Sequence, residues 1–341
     1  MRANGKLMRA GMKFSRIDHQ RGFSLIELMV SILLGLFLTA GVISVYIDSK
    51  SNYQSEDELA RIQENGRYAL DLLKRELALA GFFGGNLNTG GIPPGTVTVD
   101  CSANWTLDTS EPLDFINDFA SSLTTLNGIT LGCLNSADIV AGTDIVAIKR
   151  TSGGFTLKNG VFNDGLTKAD TSQWYLRMAG FGDIMEWTYI DSGEDFDAAD
   201  VGLGSEVSYW EYNTNVFYIR NYSVDAGDNV PTLCAERLVG GGISNQCLIE
   251  GIEDMQIEFG VDTDGDSIPN QFKSAPTGAE LDSSVVARIY LLVRSIDPVA
   301  GYTNEKTYSL GEKAVAAKND GYLRRVFSTT IQMRNTTLPN N

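Results

Sequence analysis

The sequence predicts an α+β chain in which one long N-terminal helix packs on a largely antiparallel β-sheet head with long loops. Three observations predict it. Residues 23–47 form an apolar run with a single charge, Glu27. Residues 55–83 then place apolar side chains at helical spacing. Beyond residue 85 no second helix of comparable strength follows, whereas several stretches are rich in β-branched and aromatic residues.

The charge balance narrows the function. Among 341 residues, 27 are basic and 43 acidic, a net charge of −16, and His19 is the only histidine. Phosphate contacts need clustered Lys and Arg, so an acidic surface of this kind excludes nucleic acid as a partner. Residues 1–22 are the exception, with Arg2, Lys6, Arg9, Lys13, Arg16 and Arg21 against Asp18 alone. Their removal takes His19 with them and leaves 21 basic against 42 acidic residues. A chain without imidazole has no Ser-His-Asp or Cys-His apparatus and no His-ligated zinc. A membrane-tethered periplasmic enzyme would need a catalytic set without histidine, and none stands out.

As a helix, the 25 residues of 23–47 reach about 37 Å, enough to cross a hydrocarbon core of ~30 Å. The basic run before them keeps the N-terminus cytoplasmic and sends the head to the periplasm. Glu27 sits four residues inside this run. A carboxylate in lipid costs about 2–3 kcal/mol, so it needs a partner. Residues 48–84 continue as an amphipathic helix with Leu59, Ile62, Ala69, Leu70, Leu73, Leu77 and Ala80 on one stripe. Glu56, Asp57 and Glu58 near its start and Lys74 and Arg75 near its end suit the helix dipole. Gly81, Gly84 and Gly85 supply the stop. Gly35 and Gly41 either let apolar helices pack closely or let the helix stretch.

The head, 85–341, reads as loops over 86–136, then strands at 139–149, 207–222, 252–261, 285–295 and 322–334. In the fourth, Val285, Ala287, Ile289, Leu291 and Val293 face one way and Arg288 and Arg294 the other. In the last, Leu323, Phe327, Ile331 and Met333 share a face with Arg325 and Thr329. No repeat or Pro-rich linker marks a further domain.

Cys101, Cys133, Cys234 and Cys247 all follow the apolar run. In an oxidising periplasm they form two disulfides; of the three connectivities, nearest-neighbour pairing (101–133, 234–247) is preferred. Asp262, Asp264, Asp266 and Asn270, with the Ile268 carbonyl, are candidate ligands for a hard cation such as Ca²⁺. Ser267 and Lys273 stand where an EF-hand loop has Gly and a bidentate Glu, and Asp-Gly also suits a plain hairpin turn. Gly240-Gly241-Gly242 and Gly84-Gly85 lack the Lys and Ser/Thr of a phosphate loop. Trp105, Trp174, Trp187 and Trp210 read as sheet core ahead of a sugar- or peptide-binding surface. Arg324-Arg325 reads as a solvated strand edge ahead of an acidic-partner contact.

The junction Arg21-Gly22-Phe23-Ser24-Leu25-Ile26-Glu27 resembles the cleavage site of type IV prepilins. The resemblance implies that a prepilin peptidase cuts between Gly22 and Phe23 and that Phe23 becomes N-methylated. Glu27 is then the fifth residue of the mature chain and pairs with the terminal ammonium of a neighbouring subunit. The phrases IEGIEDMQIEFGVDTDGD (249–266), VARIYLLVRSID (286–297) and GYLRRVFSTTIQMRN (321–335) are similar to the PilW family of type IV minor pilins. That likeness covers the N-terminal helix and about 215–336, and leaves 86–200 unmatched. It implies the type IV pilin fold and a single-pass inner-membrane protein that moves into the pilus, at its tip. Its implied partners are other minor pilins, the major pilin, a tip adhesin and the inner-membrane assembly platform. Its implied roles are pilus assembly, adhesion and twitching motility, with no enzymatic activity. A J-type pseudopilin of type II secretion is the alternative, for which so large a head is long; an adhesin head is another.

Overall fold

The computed structural model describes residues 22–86, 92–163, 165–180, 183–202 and 204–335. Leader residues 1–21, and His19 with them, lie outside the described residues. Two compact units divide the chain near Tyr53.

In the first unit the chain enters helix α1 (Leu25–Ala78). Ser24 caps it: its hydroxyl accepts the Glu27 N–H (3.2 Å) and its carbonyl the Leu28 N–H (3.1 Å). Ser31 and Thr39 return their hydroxyls to the carbonyls of Glu27 and Gly35, four residues back. This satisfies the hydroxyls inside the helix, as an apolar solvent demands.

In the second unit α1 ends at Ala78 rather than running to 84. Gly81 follows with φ +74°, and its N–H leaves the helix for the Lys149 carbonyl (3.1 Å). Ile62, Ala69, Leu73, Leu77 and Ala80 form the buried stripe, with Leu70 partly buried. Leu59 is exposed, and Glu58 is buried in its stead, accepting the Ile296 N–H (3.2 Å). Gly66 lies under the Phe327 ring, which a Cβ there would meet at 2.6 Å.

Six strands precede the central one: β1 (Leu113–Ile116), β2 (Ile145–Thr151), β3 (Leu157–Lys158), β4 (Val161–Phe162), β5 (Gln173–Ala179) and β6 (Ile184–Ile190). β7 (Val207–Arg220) is the hub of a nine-stranded antiparallel sheet. Its C-terminal half pairs with β2 and with β8 (Thr232–Val239), which continues into β9 (Gly242–Glu250). Its N-terminal half pairs with β3 and β5, which carry β4 and β6. A four-stranded sheet follows in the order β11 (Gln271–Lys273), β10 (Ile252–Val261), β12 (Ser284–Arg294), β15 (Arg324–Gln332). Between them lie the short helix α2 (Gly278–Asp282) and the ribbon β13 (Tyr308–Leu310)–β14 (Lys313–Val315).

Both sheets face the α1 stripe. Phe115, Ile148, Phe217 and Leu233 of the first and Ile257, Phe259, Ile289, Leu291 and Ile331 of the second form one core with it. The alternation along β12 thus directs Ala287, Ile289, Leu291 and Val293 inward. Leu292 on its other face is also buried, under Leu310 and Val315 of the ribbon. The far face of the first sheet is covered by the loops of 92–143, through Trp105, Leu107, Phe119 and Leu131. Trp105 and Trp210 are buried, while Trp174 and Trp187 are half-buried and donate their indole N–H to the carbonyls of Gly240 and Pro93 (3.0 Å each). Arg324 is not at a solvated edge: its buried guanidinium forks onto Glu253 (2.6 and 2.9 Å) and Asp320 (2.6 and 2.7 Å). Arg325 beside it is exposed.

Lys149 is buried on β2 beneath the loops, its ammonium on the Asp108 carbonyl (2.9 Å) and over the Trp105 ring (4.3 Å). Burial pushes its pKa down to about 8, against the fields of Asp108, Asp114, Glu111 and Asp100. A free lysine titrates at about 10.4, so between these values the unfolded chain holds the proton that the folded chain has lost. Stability contributed by this group therefore rises with pH across that window. Urea midpoints at pH 8, 9 and 10 should climb more steeply for the native chain than for Lys149→Met; parallel profiles would refute the assignment.

Candidate functional site

The first candidate is the start of α1. Every described residue from 22 to 50 is exposed, including Phe23, Leu25, Ile26 and the whole apolar face through Ile47. The segment is long and apolar enough to cross a membrane. Glu27 lies on this surface, four residues after Phe23, and among the described residues its carboxylate has no partner. Gly22, Phe23 and Ser24 precede the helix and are exposed, so the bond between Gly22 and Phe23 is accessible. A free amine at Phe23 would stand at the positive end of the helix dipole, with a carboxylate within its first turn.

The second is the loop between β10 and β11. Carboxylate oxygens of Asp262, Asp264 and Asp266 lie within 4.8 Å of one another. The Asp262 carboxylate also closes the turn, accepting the N–H groups of Gly265 (2.7 Å), Ser267 (2.8 Å) and Asp264 (3.1 Å). Partial desolvation opposes its ionisation, but those three N–H groups prevail and hold the carboxyl below the usual range. Asn270 joins from the far side: its carbonyl accepts the Thr263 N–H (2.6 Å) and its amide reaches Asp264 (3.4 Å). Ser267 adopts φ +65°, the conformation that favours Gly at this place. The loop thus brings all four sequence-predicted residues together, and their hydrogen bonds already account for its shape.

The cysteines form Cys101–Cys133 and Cys234–Cys247. The first ties two covering loops together; the second bridges registered neighbours of β8 and β9.

Sequence reasoning passed over one group that matters for the head. Glu76, on the buried face of α1, receives Nε and Nη2 of Arg150 (2.8 and 2.7 Å) and the Asn215 amide (3.1 Å). Asn215 in turn accepts from Arg237 (2.9 Å). These residues come from α1, β2, β7 and β8, separated by up to 161 positions, and only the fold brings them together.

Against known families, residues 17–43 match the prokaryotic N-terminal methylation motif, and residues 216–335 match the family described as type IV pilus-assembly protein W, PilW. The second match starts within β7 and takes in the whole four-stranded sheet. Among solved structures, a type IV-like pilin from Thermus thermophilus is similar at 13% identity and a TM-score of 0.35, over 81% of this chain and 97% of that one. No curated protein matches. An exposed apolar helix behind a methylation motif, joined to an antiparallel head whose residues 216–335 bear the PilW sequence pattern, is the make-up of a PilW-like type IV pilin with a prepilin leader.

Proposed function

We propose that this protein is a minor pilin that helps initiate pilus assembly, in a tip complex with other minor pilins and a tip adhesin. Its role is structural, not catalytic. The leader is cut between Gly22 and Phe23, Phe23 is methylated, and the mature chain waits in the inner membrane with its head in the periplasm. Extraction buries the apolar surface of residues 23–47 against neighbouring helices. Glu27 then meets a neighbour's N-terminal ammonium, and both charges are satisfied away from water.

The observation that carries this reading is Glu27, a lone carboxylate on a wholly exposed apolar helix surface, four residues from Phe23. An unpaired charge is costly in lipid, and a subunit that supplies the counter-charge makes assembly the state in which that cost is relieved. Deletion of the gene should abolish or sharply reduce surface piliation, counted by electron microscopy and restored by the full chain. Pili in normal number with lost adhesion would instead assign the head an adhesive role. Normal pili with a defect in protein secretion would favour the pseudopilin alternative.

A further inference from the structure

The family match begins at residue 216, yet β7 begins at Val207. The part of β7 before the match is the part that carries β3–β6. Residues 152–206 and this extension form a lobe with its own small core of Leu157, Tyr175, Ile190, Phe196 and Tyr209. Phe196 stacks on Tyr209 at 4.0 Å and meets Tyr175 edge-on at 5.0 Å.

Two independent features of the lobe concern partners. The first is an open edge. Over its seven residues β6 pairs with β5 alone, and among the described residues no backbone group satisfies its other side. Ile184 on this strand is exposed. A strand edge of this length is a ready template for another strand. The edge of β9, by contrast, is bridged to Val99 at Gly242 and receives Asn65 at the Glu250 carbonyl (3.0 Å).

The second feature is charge. Residues 152–206 hold ten Asp and Glu against three Lys and Arg. Asp183 and Glu186 are exposed at the edge, and Asp191, Glu194, Asp195 and Asp197 are exposed just beyond it. Arg177 is committed to Asp200 (2.8 Å) and Glu186 (2.7 Å) and neutralises little else. A second copy of this chain would set the same carboxylates against each other, at a cost. A strand bearing Lys and Arg would be drawn in by the field and held by main-chain bonds.

We propose that the β6 edge is a docking site for an extended, Lys/Arg-bearing strand of a different protein. The site stands apart from the assembly reading, which its failure would leave intact. To test it, the full chain in detergent is titrated with an octapeptide of alternating Lys and Val, and with its Glu/Val counterpart. Amide hydrogen exchange is followed throughout. The Lys peptide should slow exchange across residues 184–190, and the Glu peptide should not. Asp183→Lys with Asp191→Lys should weaken binding at least tenfold, as should raising the salt from 50 to 500 mM. Val224→Lys, on a remote exposed loop, controls for general charge effects and should bind as the native chain does. Native exchange elsewhere in the lobe shows that the double variant folds. Lys-peptide binding without protection of β6, binding indifferent to the charge reversal, or no binding at millimolar peptide would each overturn the proposal.

Discussion

Glu76→Ala is expected to destabilise the head by about 3–5 kcal/mol, because it leaves the Arg150 guanidinium buried without its counter-charge. The pair is almost wholly withdrawn from water, with side-chain exposures of 10% and 3%. Its two parallel N–H···O bonds are the strong, directional kind. Asn215 also loses an acceptor and hands the deficit on to Arg237. At about 2–4 °C per kcal/mol for a domain of this size, thermal unfolding should fall by roughly 10 °C. A double variant, Glu76→Leu with Arg150→Met, should recover most of that loss by replacing the pair with apolar volume. If Glu76→Ala melts with the native chain, the network contributes nothing to holding the helix to the sheet.

Loss of either disulfide should be the next largest effect, and unequal. Cys101–Cys133 closes 32 residues and Cys234–Cys247 only 13. Loop-closure entropy then gives about 4 kcal/mol for the first and about 3 kcal/mol for the second. The second joins strands that the β8–β9 ladder already holds in register, so the native state needs it less. The first ties loops that are poor in regular ladder bonds yet seat Trp105, Leu107 and Leu131 on the sheet. Cys101→Ser with Cys133→Ser should therefore lower the urea midpoint more than Cys234→Ser with Cys247→Ser. The reverse order would contradict this account of how the far face of the sheet is covered.

What the sequence discloses depends on how local the signal is. The apolar run, the stripe of α1 and the strands β7, β10, β12 and β15 carry periodicity within one segment, and each emerges close to its expected bounds. The segment 139–149 begins late, at Ile145, because Ile139 makes only an isolated bridge to Arg220. β8 and β9 escape notice for opposite reasons. β8, with Cys-Ala-Glu-Arg at its centre, is buried on both faces and does not alternate, whereas β9 is a polar edge. β5 and β6 sit in a lobe outside the family pattern; β5 has no β-branched residue, and β6 is buried only at its last position. Glu76 and Arg324 look like solvent-facing charges until their partners arrive from 74 and 71 positions away. The leader motif is legible at once because it is written in seven consecutive residues, inside the stretch 17–43 that matches the methylation motif.

Incorporation of Glu27→Ala into filaments tests the central claim most directly. Native and variant chains would be expressed to equal membrane levels, and the fraction in sheared pili measured beside the N-terminal mass of the mature chain. The account predicts a variant cut before Phe23 and retained in the membrane, with at least tenfold less in the pilus fraction. Filaments that take up the alanine variant as readily as the native chain would contradict it.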